Sequence, residues 1–139
     1  MTVKDELMLA LMSHVSARGD AALADDIALS WLKIVRKFAP VIGASSVLLI
    51  FGRSIENNVA TFSWLPVLVM PTQADAAVEL LRASLATHPA ADAMAAHRAI
   101  LATFIDLMTT LIGARLTVQF LRAALPADSA GSTTEETPP

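Results

Sequence analysis

Apolar residues recur at three- and four-residue intervals along most of the chain, the period of a helix with one buried stripe. Leu7, Leu11 and Val15, with Met8 and Met12 beside them, mark the first stripe, predicting a helix over about 3–17. Thr2 followed by Asp5 forms a capping-box-like start, with Asp in place of the usual Glu or Gln. Gly19 supplies a left-handed stop and Asp20 a new cap. Leu23, Ile27, Trp31, Ile34 and Phe38 then predict a second helix over about 21–38, with Ala39-Pro40 ending or kinking it. Its acids, Asp25 and Asp26, lie near the start, and Lys33, Arg36 and Lys37 near the end, the order the helix dipole favours.

The continuous apolar run Val47–Phe51 could be a strand paired with 61–70, because periodicity does not decide a short run. A lone hairpin is marginal, so a helix over about 41–62 is preferred, followed by a loop at 63–71 that Pro66 and Pro71 enforce. Thr72 with Asp75 repeats the capping signature and opens a helix to about Ala86, with Val78, Leu80, Leu81 and Leu85 inward. The last helix runs from Pro89 or Asp92 to Leu125, where Pro126 stops it. Residues 93–125 would span roughly 50 Å as one helix, against about 30 Å for a compact domain of this size. It therefore either kinks, most naturally at Gly113, or projects onto a partner. No internal repeat of useful length is evident. The expectation is an all-α, single-domain bundle of about five helices over 1–125 with a long C-terminal helix, and a disordered acidic tail at 126–139.

Composition agrees with helix. Apolar residues make up 55% of the 139 and charged residues 17%, against usual values of about 45–50% and 25%. The excess is alanine and leucine, both strong helix formers. The net charge is −3, and the tail's Asp128, Glu135 and Glu136 account for it. A neutral body has no basic face for nucleic acid, so none is expected as a partner. Near-zero charge with much apolar surface favours self-association. The absence of cysteine excludes thiol chemistry. Lys4-Asp5-Glu6 stands where a signal peptide needs an apolar core, which points to a cytoplasmic protein. The apolar stretch 99–121 is long enough to cross a bilayer, but it carries Asp106, Arg115 and Gln119, so integral insertion is not expected.

Little in the sequence points to catalysis. His14, His88 and His97 form no pair at ligand spacing, and no nucleophile elbow, phosphate loop or dinucleotide fingerprint is present. No cofactor, metal or enzymatic activity is expected. Asp106 is the one acid inside the apolar last helix, among small residues including Ala102, Thr103, Thr110 and Gly113; this stripe is either the solvent face or a second packing surface, across which an arginine would pair Asp106. Arg53 follows an apolar run and is expected to be at least half buried, with Asp106 or Glu56 as its carboxylate. Trp64, in an apolar segment that cannot continue a helix, is either a lid on the bundle or an anchor for a partner.

Pro40-Val41-Ile42-Gly43, Phe51-Gly52-Arg53-Ser54, Phe62-Ser63-Trp64-Leu65-Pro66, and Leu111 to Thr117 with Phe120-Leu121-Arg122 together resemble small all-helical proteobacterial proteins and domains associated with sensory signalling. The resemblance covers about two-thirds of the chain and includes the arginine at 53 and the tryptophan at 64. It implies a helical fold and a cytoplasmic regulatory role, and no catalytic residue. The expected function is a non-catalytic helical interaction module, a regulator or adaptor. It would form a homodimer and engage a signalling protein, with Arg53, Trp64, Asp106, Leu111 and Leu116 as contact candidates. The rival is a sensor of an apolar ligand or haem, with a pocket lined by Trp31, Phe51, Trp64, His97 and Phe104.

Overall fold

The computed structural model describes residues 2–16, 20–68 and 73–125. The tail at 126–139, the expected stop at Gly19 and the Thr72 cap lie outside them. Among the described residues the fold is all-α, with six helices: α1 (Val3–Ser16), α2 (Leu23–Ile42), α3 (Ala44–Glu56), α4 (Ala74–Ala86), α5 (Ala90–Ile112) and α6 (Ala114–Ala123). A 3-10 turn, Asp20–Ala22, leads into α2.

The capping box at the start of α1 forms. The Asp5 N–H donates to Thr2 Oγ1 at 3.1 Å, and the Thr2 N–H donates to Asp5 Oδ2 at 3.3 Å.

Two glycine breaks set the helix bounds, one at an unexpected place, Gly43, and one at the expected kink, Gly113. Helix α2 runs through Pro40, which forgoes the bond an N–H there would donate to the Arg36 carbonyl, and stops at Gly43. Helix α3 therefore covers 44–56 rather than 41–62, and 57–62 follow as turns. Likewise the last helix is not one long rod: α5 ends at Gly113 and α6 begins at once. Both glycines sit at φ 92–93° with extended ψ, a conformation open almost only to glycine. Each is thus a one-residue corner between two helices. The helix count rises from about five to six, and the length argument for a projecting C-terminal helix no longer applies.

The two corners reveal a repeat that the sequence reading missed. Adding 70 to a residue number carries α1 onto α4, α2 onto α5, and α3 onto α6, with Ile42-Gly43-Ala44 falling on Ile112-Gly113-Ala114. Leu7, Met8, Leu11 and Val15 fall on Ala77, Val78, Leu81 and Leu85; Ile34, Val35, Phe38 and Phe51 fall on Phe104, Ile105, Met108 and Leu121. All sixteen are buried. Of the buried residues in the second half, only Ala96 and Ile100 have partly exposed counterparts, Asp26 and Ser30.

Packing between the halves is reciprocal, as a two-fold relation demands. Helix α2 packs on α4 as α5 does on α1; α3 packs on α5 as α6 does on α2; α1 meets α6 as α4 meets α3. The reciprocity is incomplete, since α1 packs on α2 while α4 and α5 make no comparable contact. At the centre, Trp31 meets His97 and Phe104, and Phe38 meets Phe104. Helices α2 and α5 thus run side by side in one direction, which brings both corners to the same end of the bundle.

Candidate functional site

Trp31 on α2, Phe51 on α3, and His97 and Phe104 on α5 are all 0% exposed and lie together. The Trp31 ring centroid is 4.9 Å from that of Phe51 and 5.1 Å from that of Phe104. The Trp31 indole Nε1–H donates to His97 Nδ1 at 3.2 Å, which assigns the His97 proton to Nε2. That Nε2–H is buried without a partner among the described residues, an omission that costs about 1–3 kcal/mol. Burial pushes the His97 pKa down to about 4, so the ring is neutral at pH 7. Among the described residues no group of three His, Cys, Asp or Glu could hold a metal ion. Four of the five side chains expected to line a ligand pocket thus fill the space between them.

Trp64, the fifth, lies apart. Its ring stacks on His88 at 3.9 Å and meets Phe62 edge-on at 6.1 Å. His88 is held in turn by Nδ1 contacts to the Ser84 carbonyl and Thr87 Oγ1, each at 3.0 Å. Leu65 next to it is buried. Upstream, the Asn58 side-chain amide donates to the Ser54 carbonyl at 2.7 Å, to Thr103 Oγ1 at 3.1 Å and to the Ala99 carbonyl at 3.4 Å. The segment thus meets the bundle at both ends, Asn58 on α5 and Trp64 on the His88 turn.

Arg53 is exposed, contrary to expectation. Phe51, Ser54 and Ile55 point inward from α3, and at 100° per residue Arg53 then faces water. Neither expected acid meets it: Glu56 is also exposed, and Asp106 pairs with Lys4 Nζ at 2.7 Å on the surface rather than with an arginine. Leu111 and Leu116, on either side of the Gly113 corner, are 55% and 38% exposed.

One further feature has no signature along the chain. Leu11, His14 and Val15 of α1, Asp26, Leu29, Ser30 and Lys33 of α2, and Ala124 and Leu125 after α6 enclose a cleft of about 140 Å³. Leu11, Val15 and Ala124 are buried in its lining, and Leu29 stands exposed beside it. Three separate segments build it, so no local motif announces it.

Helix α5 is long and apolar enough to cross a membrane by length and composition. Its inward face, from Ala93 to Met108, lies in the core of the bundle. Compared with models of protein families, with curated proteins and with solved structures, the chain matches none.

Proposed function

We propose that this chain is a non-catalytic helical interaction module of the cytoplasm, a regulator or adaptor that pairs with a second copy of itself and engages a signalling protein. The observation that carries this reading is the apolar surface at the corner end of the bundle. Leu111 and Leu116 flank Gly113 and stand in water, and Val41, the counterpart of Leu111, is exposed at the other corner. Val3 is exposed as well and shares a shallow groove with Ala114 and Val118 of α6. Apolar side chains gathered at one end are what a helix-on-helix interface buries. The neutral body puts no charge repulsion in the way.

The sensor reading has less support, because Trp31, Phe51, His97 and Phe104 occupy the volume a ligand would need. Light scattering at tens of micromolar tests the proposal. The wild type should be a dimer, and Leu111→Asp with Leu116→Asp should give a folded monomer. A monomeric wild type overturns it.

A further inference from the structure

We infer that the cleft between α1, α2 and the end of α6 is a docking groove for an apolar, aromatic-bearing segment of a partner protein. The internal repeat places a covered counterpart of this cleft in the other half, whatever the oligomeric state. Each residue lining the cleft has a counterpart 70 positions away in the other half. Leu11, His14 and Val15 correspond to Leu81, Ser84 and Leu85; Asp26, Leu29, Ser30 and Lys33 to Ala96, Ala99, Ile100 and Thr103; Ala124 and Leu125 to Ser54 and Ile55.

In that half the equivalent place is occupied by the chain itself. Asn58 bonds to Ser54, Ala99 and Thr103, and Trp64 stacks on His88, whose ring is tied to Ser84. Under this cover Ile55, Ala96 and Ile100 are 0% exposed. In the open half their counterparts Leu125, Asp26 and Ser30 are partly exposed, and Leu29 is 51% exposed. One half therefore shows what the other accepts: a short segment with one side-chain amide and two or three large apolar residues.

Residues 126–139 do not repeat that segment. After α3, residues 57–66 read Asn-Asn-Val-Ala-Thr-Phe-Ser-Trp-Leu-Pro, whereas residues 126–139, which follow α6, contain no aromatic and no Leu, Ile, Val or Met. The stretch equivalent to 57–66 thus carries no ring, and the filler assigned here is a segment of a partner protein. The cleft volume suits it: about 140 Å³ is close to the ~150 Å³ of an apolar cavity that admits benzene.

The test uses the full-length chain, isotopically labelled, and an end-blocked peptide with the sequence of residues 57–66 as the probe. Amide shifts should be saturable and centred on Leu11, Val15, Leu29, Ser30 and Leu125. Affinity should fall at least tenfold in Leu29→Arg, an exposed change that leaves thermal melting intact. It should fall as far for the peptide carrying Phe62→Ala and Trp64→Ala. Four results overturn the inference. They are no saturation at millimolar peptide, shifts confined to the neighbours of Trp64 and His88, cleft signals that move with protein concentration alone, and cleft signals that move on deleting 126–139. The last two identify a second copy or the chain's own tail as the occupant.

Discussion

Arg36 and Asp106 occupy equivalent positions in the two halves and carry opposite charges. Arg36 on α2 meets Asp75 of α4 at 3.6 Å, and Asp106 on α5 meets Lys4 of α1 at 2.7 Å. Each pair ties the first helix of one half to the second helix of the other, with the signs reversed. Two second halves docked the same way would set Asp75 against Asp106, whereas two first halves would set Lys4 against Arg36 and keep Asp5, the counterpart of Asp75, near Arg36. The exchange of signs thus disfavours the pairing of two second halves.

Both pairs are solvent-exposed, so the energies are small. Asp106→Lys should lower stability by about 0.5–1 kcal/mol. The double exchange Lys4→Asp with Asp106→Lys should recover most of it. A double-mutant cycle in urea reads the coupling, and doubly additive losses would show that the pair contributes nothing.

His97 should make the fold acid-sensitive well above the carboxylate range. Its folded pKa, about 4, lies below the ordinary value of 6.5, so the unfolded chain binds its proton first. Stability is then complete above about pH 6.5 and falls as the pH drops toward 4, by up to about 3 kcal/mol. Urea unfolding at pH 7, 6 and 5 follows the loss. In His97→Leu the slope over that interval should disappear, although Trp31 Nε1–H is left unpaired at a cost of about 1–3 kcal/mol.

Helix breaks at Gly43 and Gly113 predict paired effects. A Cβ added at either meets nothing within 4 Å, so substitution brings backbone strain without a clash. Gly43→Ala and Gly113→Ala should each cost about 1–3 kcal/mol. Thermal melts of the two single variants check both, and an unchanged melting temperature in either would mean that its corner relaxes freely.

Trp64 is half-buried and stacked rather than enclosed. Trp64→Ala should therefore cost about 2 kcal/mol, below the ~3–5 kcal/mol of a fully buried aromatic. In Trp31→Phe, where Trp64 is the only indole, emission should be bluer than that of free tryptophan. Emission as red and as quenchable as the free amino acid would place the segment 57–65 off the bundle.

The helical stripes were legible because burial follows a 3.6-residue period. Leu7, Leu11, Val15, Ile27, Trp31, Ile34, Phe38, Leu81, Leu85, Leu101, Phe104 and Met108 are all inward, as their spacing predicts. Leu80 is not. It lies roughly 100° from Leu81 on the helix, toward the solvent side, and is exposed. Arg53 was misplaced because neighbours along the chain are not neighbours on a helix face. Gly43 was overlooked because Pro40, three residues earlier, is the more familiar breaker, whereas Gly113 stood out once the last helix proved too long for the bundle. The repeat escaped notice because its halves share few identities beyond Asp5/Asp75, Leu11/Leu81 and the Ile-Gly-Ala corners. What recurs is the sequence of inward and outward positions, which becomes visible only when burial is known. The cleft is invisible for the same reason, as is the His97–Trp31 bond, which joins residues 66 positions apart.

The reciprocal packing of the two halves sets the order of events during synthesis. Helix α2 packs on α4 and α6, and α3 on α5, so the first three helices leave the ribosome before most of the surfaces they need exist. At about 5–20 residues per second, the 70-residue lag between equivalent positions lasts several seconds. Over that time Ile34, Phe38 and Phe51 have no second half to cover them. A nascent chain halted after residue 68 should thus bind chaperones, and the completed chain should fold in one late cooperative step rather than as two units in turn.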